Sequence, residues 1–228
     1  MFSSHTAQRR IGRFAWVMAW VGLVGGQLHA LARHQTADGK GDLQQWTTRV
    51  WSDPARAALK PLLDWANPDA VYLTYGKLWL PVFVAFTLCA FVVRRRRRPV
   101  GFEKWAWRIA LIGYVWACLS VAGDYWLQWG AHGNDALLTI TFVAGLPGVL
   151  FTVIGSTVLG IALLRRGFEP RASAWLLTAT FPAVFVILMV TSMGNVALPV
   201  MFAFGIAGRR LARETAPMHE WESVPAAR

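Results

Sequence analysis

Charge is scarce in this chain, and negative charge scarcest: 15% of its 228 residues are charged, with 12 Asp and Glu against 23 Lys and Arg. The charges are not interspersed among apolar residues at helical or strand spacing, as a water-soluble core requires. They gather between long apolar runs, the pattern a bilayer imposes. Cysteine is nearly absent. Cys89 and Cys118 each lie inside an apolar run, no CxxC occurs, and neither has a metal-ligand neighbour at useful spacing. Both read as small apolar packing residues. Also missing are HExxH, a nucleophile–base signature and a cluster of acidic metal ligands. The expectation is therefore no metal and no cofactor.

Apolar residues make up 55% of the chain and the formal charge is +11. That charge does not point to nucleic acid. Arg94, Arg95, Arg96, Arg97 and Arg98 directly follow an apolar run, with no aromatic stacking platform or groove-reading motif beside them. They read as a stop-transfer and topology signal that also touches anionic headgroups. The fold class expected is all-α: a polytopic transmembrane helix bundle of six spans with a short amphipathic helical segment on its outer face.

The spans expected are 14–31, 71–93, 105–126, 146–164, 173–193 and 196–213. The first follows Arg9, Arg10 and Arg13 and contains Gly22 and Gly26, four residues apart, a spacing that lets another helix come close. Its basic start and Ala30-Leu31-Ala32 also fit a cleaved signal peptide; a retained helix is preferred because a bundle can use its packing face. The apolar stretch 136–164 exceeds the ~20 residues a span needs. A break at Gly145-Leu146-Pro147-Gly148 is expected to divide it, leaving 127–145 as an external turn and interfacial approach. Gly194-Asn195 is the turn signal that splits the last apolar region. Residues 1–13, 94–104 and 165–172 form the cytoplasmic flank and loops, and 214–228 a disordered cytoplasmic tail.

Residues 32–70 form the external segment. A loop is expected over 34–42, then a helix with Leu43, Trp46 and Val50 on one face. A second helix is expected to start with Asp53 as N-cap and Pro54 as first residue and to stop at Asn67-Pro68. Trp46, Trp51 and Trp65 suit a headgroup interface, so the segment reads as an amphipathic lid. Basic residues set the orientation. Only Arg33, Lys40, Arg49, Arg56, Lys60 and Lys77 fall on the lid side, so both termini are placed in the cytoplasm. The strong preference for arginine over lysine suits a GC-rich bacterial gene, hence a bacterial plasma membrane.

Polar groups inside spans are costly and mark candidate sites. At a helical rise of about 1.5 Å per residue, His29, Lys77 and Asp124 reach similar depth near the outer boundary, with Asn195 at the turn beside them. Gln27, Tyr72, Tyr75 and Tyr125 are close in sequence. The candidate ligand-binding set is Gln27, His29, Lys77, Asp124, Tyr125 and Asn195, with Lys77 and Asp124 as an ion pair and His29 as a titratable neighbour; the competing reading is that all of them snorkel to interfacial water. The function expected is a non-enzymatic accessory or ligand-binding membrane protein. It would recognise a lipid, a small molecule or a membrane-protein partner in an outer-leaflet pocket. The alternatives are a membrane-embedded enzyme using His29 or Asp124 as acid or base on a lipid-like substrate, and a small transporter.

Overall fold

The computed structural model describes residues 4–127, 135–191 and 193–214, and among these every regular element is helical. Helix α1 (His5–Arg33) opens at Ser4, whose hydroxyl accepts from the Ala7 N–H. Then come a 3₁₀ turn (Asp38–Gln44), α2 (Trp46–Ala58), α3 (Lys60–Leu63), α4 (Pro68–Gly76), α5 (Trp79–Arg97) and α6 (Gly101–Val121). A π-turn (Ala122–Trp126) extends α6. Helix α7 (Asp135–Arg165), α8 (Arg171–Thr178), α9 (Thr180–Val190), a second 3₁₀ turn (Met193–Ala197) and α10 (Leu198–Glu214) complete the order.

Four stretches are long and apolar enough to cross a membrane: His5–Arg33, Pro68–Arg97, Gly101–Trp126 and Thr139–Arg165. A fifth crossing is available if the bent pair α8–α9 counts as one. Large apolar side chains such as Val24, Leu119, Ile140, Leu150 and Val186 point outward, each more than half exposed. On a water-soluble protein such a belt would drive association; on a bundle of this kind it is the face suited to hydrocarbon. The interior sets large side chains such as Trp107, Tyr114, Phe86 and Phe204 among small residues, Ala15, Ala19, Ala90, Ala110 and Ala203 among them.

The seam between α1 and α10 shows what those small residues do. A Cβ on Gly12 would press into the Gly208 backbone, and one on Gly208 would meet Gly12 and the Cys89 sulfur. Further along, Gly22 faces Met201 and Gly26 faces Asn195. The two helices therefore run antiparallel in close contact from Gly12 to Gly22, about 15 Å at helical rise, and the turn before α10 continues the contact to Gly26. The Gly22–Gly26 spacing does serve helix approach, and Cys89 packs as a small residue, its thiol donating to the Phe204 carbonyl at 3.2 Å.

Three expected boundaries are corrected. Residues 145–148 do not break the fourth helix. Helix α7 runs through Pro147 without interruption, and Trp116 Nε1 from α6 donates to the Ala144 carbonyl at 2.9 Å, tying the turn before the proline to α6. Residues 173–193 are not one helix but α8 and α9, bent by 62°. Pro182 lies just past the bend, and the Phe181 N–H donates to Thr157 Oγ1 on α7 instead of to its own helix. Pro54 does not start a helix either. It lies inside α2, where Asp53 pairs with Arg56, and the break falls at Leu59, with Pro61 opening α3. The residues expected to form a loop over 34–42 include the start of the first 3₁₀ turn. The tail 215–228 and the turn around Gly130 and Gly133 lie outside the described residues.

Candidate functional site

The bundle has two chemically distinct ends. At the arginine end Gln8 accepts from Arg96, Glu103 from Arg97 and Glu169 from Arg210, so the basic termini of α1, α5, α6 and α10 share one layer. Glu103 is buried, with Arg97 Nε at 2.6 Å, Trp107 Nε1 at 3.3 Å and Arg166 at 3.7 Å. The exposed Glu169 carboxyl is held below its ordinary pKa by the Arg210 guanidinium bonded to it.

The other end carries residues 34–67 as a lid. Trp51 Nε1 donates to the Val190 carbonyl at 2.5 Å and Thr47 Oγ1 to the Met189 carbonyl at 2.5 Å, so α2 caps the C-terminus of α9. Leu63, Leu31, Ala32 and Val71 make a small apolar core beneath it. The Arg33–Asp42 ion pair at 2.8 Å pins the first 3₁₀ turn, and Tyr75 donates to the Leu62 carbonyl at 2.7 Å. Leu43, expected on one helical face with Trp46 and Val50, lies instead on the first 3₁₀ turn, while Trp46 and Val50 share α2. Trp46 and Val50 are exposed, whereas Thr48 and Ser52 are buried against the protein.

Under the lid, His29 is 2% exposed and enclosed by aromatic rings. Tyr72 stacks on it at 4.6 Å between centroids, Tyr125 meets it edge-on at 5.3 Å, and Trp79 at 6.2 Å. Trp79 Nε1 donates to His29 Nδ1 at 3.3 Å. With Nδ1 an acceptor, the neutral ring carries its proton on Nε2. That Nε2 is buried and has no hydrogen-bond partner. The Tyr72 and Tyr125 hydroxyls share a hydrogen bond at 3.2 Å, and Gly76 leaves the space that the Tyr125 ring occupies.

Asn195 joins this cluster from the 3₁₀ turn before α10. Its Nδ2 donates to the Gly26 carbonyl at 3.5 Å and to the Thr191 hydroxyl, while its Oδ1 is buried without a partner. Gly26 precedes His29 by one turn and leaves room for both Asn195 and Trp79. Two buried, unanswered groups of opposite sense result: an N–H on His29 and a carbonyl on Asn195. Buried polar atoms without partners call for an explanation such as a bound molecule.

The other expected residues are arranged differently. Asp124 stands on the π-turn but faces α7, accepting from Thr141, with Oδ1 buried and unpartnered. The expected Lys77–Asp124 ion pair does not occur among the described residues within 4.0 Å. Lys77 instead occupies the junction of α4 and α5. Pro81, four residues on, has no N–H for the Lys77 carbonyl, and Trp126 Nε1 donates to it at 3.0 Å. Gln27 is half-buried two residues before His29, about 200° round the helix, on a different face. Of the six residues, then, His29 and Tyr125 are in ring contact, and Asn195 reaches the Gly26 carbonyl one turn before His29. Trp79 and Arg33, which reaches the Tyr72 hydroxyl, complete the setting and were missed. The seven-residue spacing of Tyr72 and Trp79, two turns on one face, was the available signal.

No protein-family model, curated protein or solved structure matches this chain. Fold and site together define it as an all-helical membrane-type bundle with a ring-lined histidine under a helical lid.

Proposed function

We propose that this is a six-span, non-enzymatic protein of a bacterial plasma membrane, with cytoplasmic termini, that binds a hydroxyl-bearing ligand beside His29. The ligand is the headgroup of a neutral lipid or a small polar molecule. The observation carrying the reading is the pair of unanswered groups, His29 Nε2–H and Asn195 Oδ1, because a hydroxyl accepts from the first and donates to the second. The stacked Tyr72 and the edge-on Tyr125 supply the apolar walls such sites use. Six spans are supported by the antiparallel run of α10 along α1. The orientation is supported by the shared basic layer and the positive-inside rule. Exposed Trp46, Val50, Leu62 and Trp65 suit a lid resting at the membrane interface.

Native mass spectrometry of protein extracted in mild detergent tests the site. A hydroxyl-bearing adduct should be retained by wild type and lost in His29→Leu and in Asn195→Leu. A wild type free of adduct, whose melting is also unmoved by diacylglycerol or a neutral glycolipid, overturns the reading.

The π-turn beneath Asp124 and Tyr125 favours a second reading, since such turns occur at functional sites. It is an enzyme acting on a lipid-like substrate with His29 or Asp124 as acid or base. Against it, Asp124 turns to Thr141, away from the His29 rings. Turnover of a lipid substrate abolished by Asp124→Asn would favour it over simple binding.

A further inference from the structure

Two grooves open at the arginine end, and they differ in how their cations are answered. The smaller, about 320 Å³, is bordered by Arg96, Arg97 and Arg210. There Arg97 pairs with Glu103, Arg210 with Glu169, and Arg96 donates to Gln8. The larger, about 490 Å³, is lined by Phe91, Arg94, Arg95, Arg98, Pro99 and Lys104. None of its four cations has an ion-pair partner among the described residues. Arg94 Nε is buried with no hydrogen-bond partner at all.

We infer that this larger groove binds the phosphate of an anionic phospholipid from the leaflet at the arginine end. Three guanidinium groups and an ammonium converge on one open volume, and guanidinium forks pair with phosphate oxygens two at a time. The backbone is arranged for the convergence. Arg98 adopts a left-handed conformation, φ 50°, uncommon for a residue with a side chain. Its N–H donates to the Arg94 carbonyl at 3.1 Å, ending α5 so that the chain turns into Pro99 and α6 brings Lys104 back to the groove. The wall identifies a lipid rather than a free anion. Phe91 lies one turn into the apolar part of α5 and is 36% exposed, and Phe102 and Trp105 are exposed at the start of α6. A lipid places glycerol and the first acyl carbons against such a wall. Inorganic phosphate has no use for it. This inference is independent of the His29 site, which lies at the other end.

The test compares the full-length protein in nanodiscs of phosphatidylglycerol and of phosphatidylcholine. Wild type should melt higher in phosphatidylglycerol and retain it by native mass spectrometry. The variant Arg94→Gln/Arg98→Gln/Lys104→Gln should lose roughly tenfold or more of that preference, at the scale of surface cations on anionic lipid. A control with equal charge removed from exposed positions, Arg10→Gln/Arg165→Gln/Arg213→Gln, should keep most of it. Equal loss in the control overturns the inference, because diffuse charge alone would then explain the preference. Protection of detergent-solubilised protein by inorganic phosphate to the same degree overturns it too. If the triple variant melts early in both lipids, Arg98→Gln at an exposed position carries the comparison; no change in its lipid preference counts against the groove.

Discussion

At the arginine end, α5, α6 and α10 are joined by ion pairs to Glu103 and Glu169; at the lid end, the surroundings of His29 on α1, α4, α5 and the π-turn are rings and neutral hydrogen bonds. The charge of Arg33 is kept to the rim there, against Asp42 and Tyr72. The difference follows from where charge is tolerated. The guanidinium groups at helix ends keep partial access to water, and two of them, Arg97 and Arg166, share the buried Glu103 carboxylate and offset its desolvation. His29 is closed off by Tyr72, Tyr125 and Trp79, where a neutral donor–acceptor contact avoids burying a charge. The arginine end holds helices together through charge. The lid end leaves specific polar atoms unpartnered, and these are what the proposed ligand site rests on.

The seam common to both ends provides the largest test. Gly12→Leu at the arginine end should cost about 3 kcal/mol or prevent folding, because its side chain meets backbone. Gly26→Leu at the lid end should cost less if the Asn195 and Trp79 side chains can shift; thermal melts in one detergent compare the two. Next, Glu103→Gln should destabilise by about 2 kcal/mol, since it removes the charge that Arg97 and Arg166 share, while those arginines retain partial access to water. An unchanged melting temperature would show that the arginine end is not held by ion pairs.

At the lid end, Trp79→Phe should cost about 1 kcal/mol by removing the donor to His29 Nδ1. Combined with His29→Leu, its effect should fall short of the sum of the two; full additivity would dissolve the cluster as a unit.

The smallest effect concerns His34, buried in the lid against Trp51 with neither ring nitrogen hydrogen-bonded. Burial pushes its pKa below the ordinary value; Asp42 and Asp53 oppose the shift and Arg56 and Arg33 reinforce it. A histidine held neutral in the docked lid takes up its proton more readily when the lid opens. Lid stability is therefore complete above about pH 6.5 and declines as pH falls toward the lowered value, by at most about 1.4 kcal/mol per pH unit. Hydrogen exchange of α2, corrected for its intrinsic pH dependence, should rise between pH 7.5 and 5.5 in wild type and change less in His34→Leu.

Much of this architecture was legible from residue order. Apolar runs with basic ends marked the candidate spans, and Gly22 with Gly26 marked the helix seam. The cost of polar groups at depth singled out His29, Lys77 and Asp124, of which the structure sets His29 among aromatic rings and turns Asp124 toward Thr141. The errors have a common cause. Pro54 and Pro147 looked like boundaries, yet both lie inside helices. At Pro147 the indole of Trp116 bonds to backbone nearby. The 62° bend between α8 and α9 was invisible because its replacement partner, Thr157, is 24 residues away.

By itself, the sequence determined that this chain forms apolar helices with its cations at their ends, because hydropathy and charge are properties of each residue and its near neighbours. Tertiary structure decided which polar groups meet. Depth along a helix put Lys77 and Asp124 in one layer, but rotation about the helix axes turned Asp124 toward Thr141 and Tyr125 toward His29. Rotation and the reach of indole and guanidinium groups across helices arise only from packing. Packing is what left one N–H on His29 and one carbonyl on Asn195 unanswered in the interior.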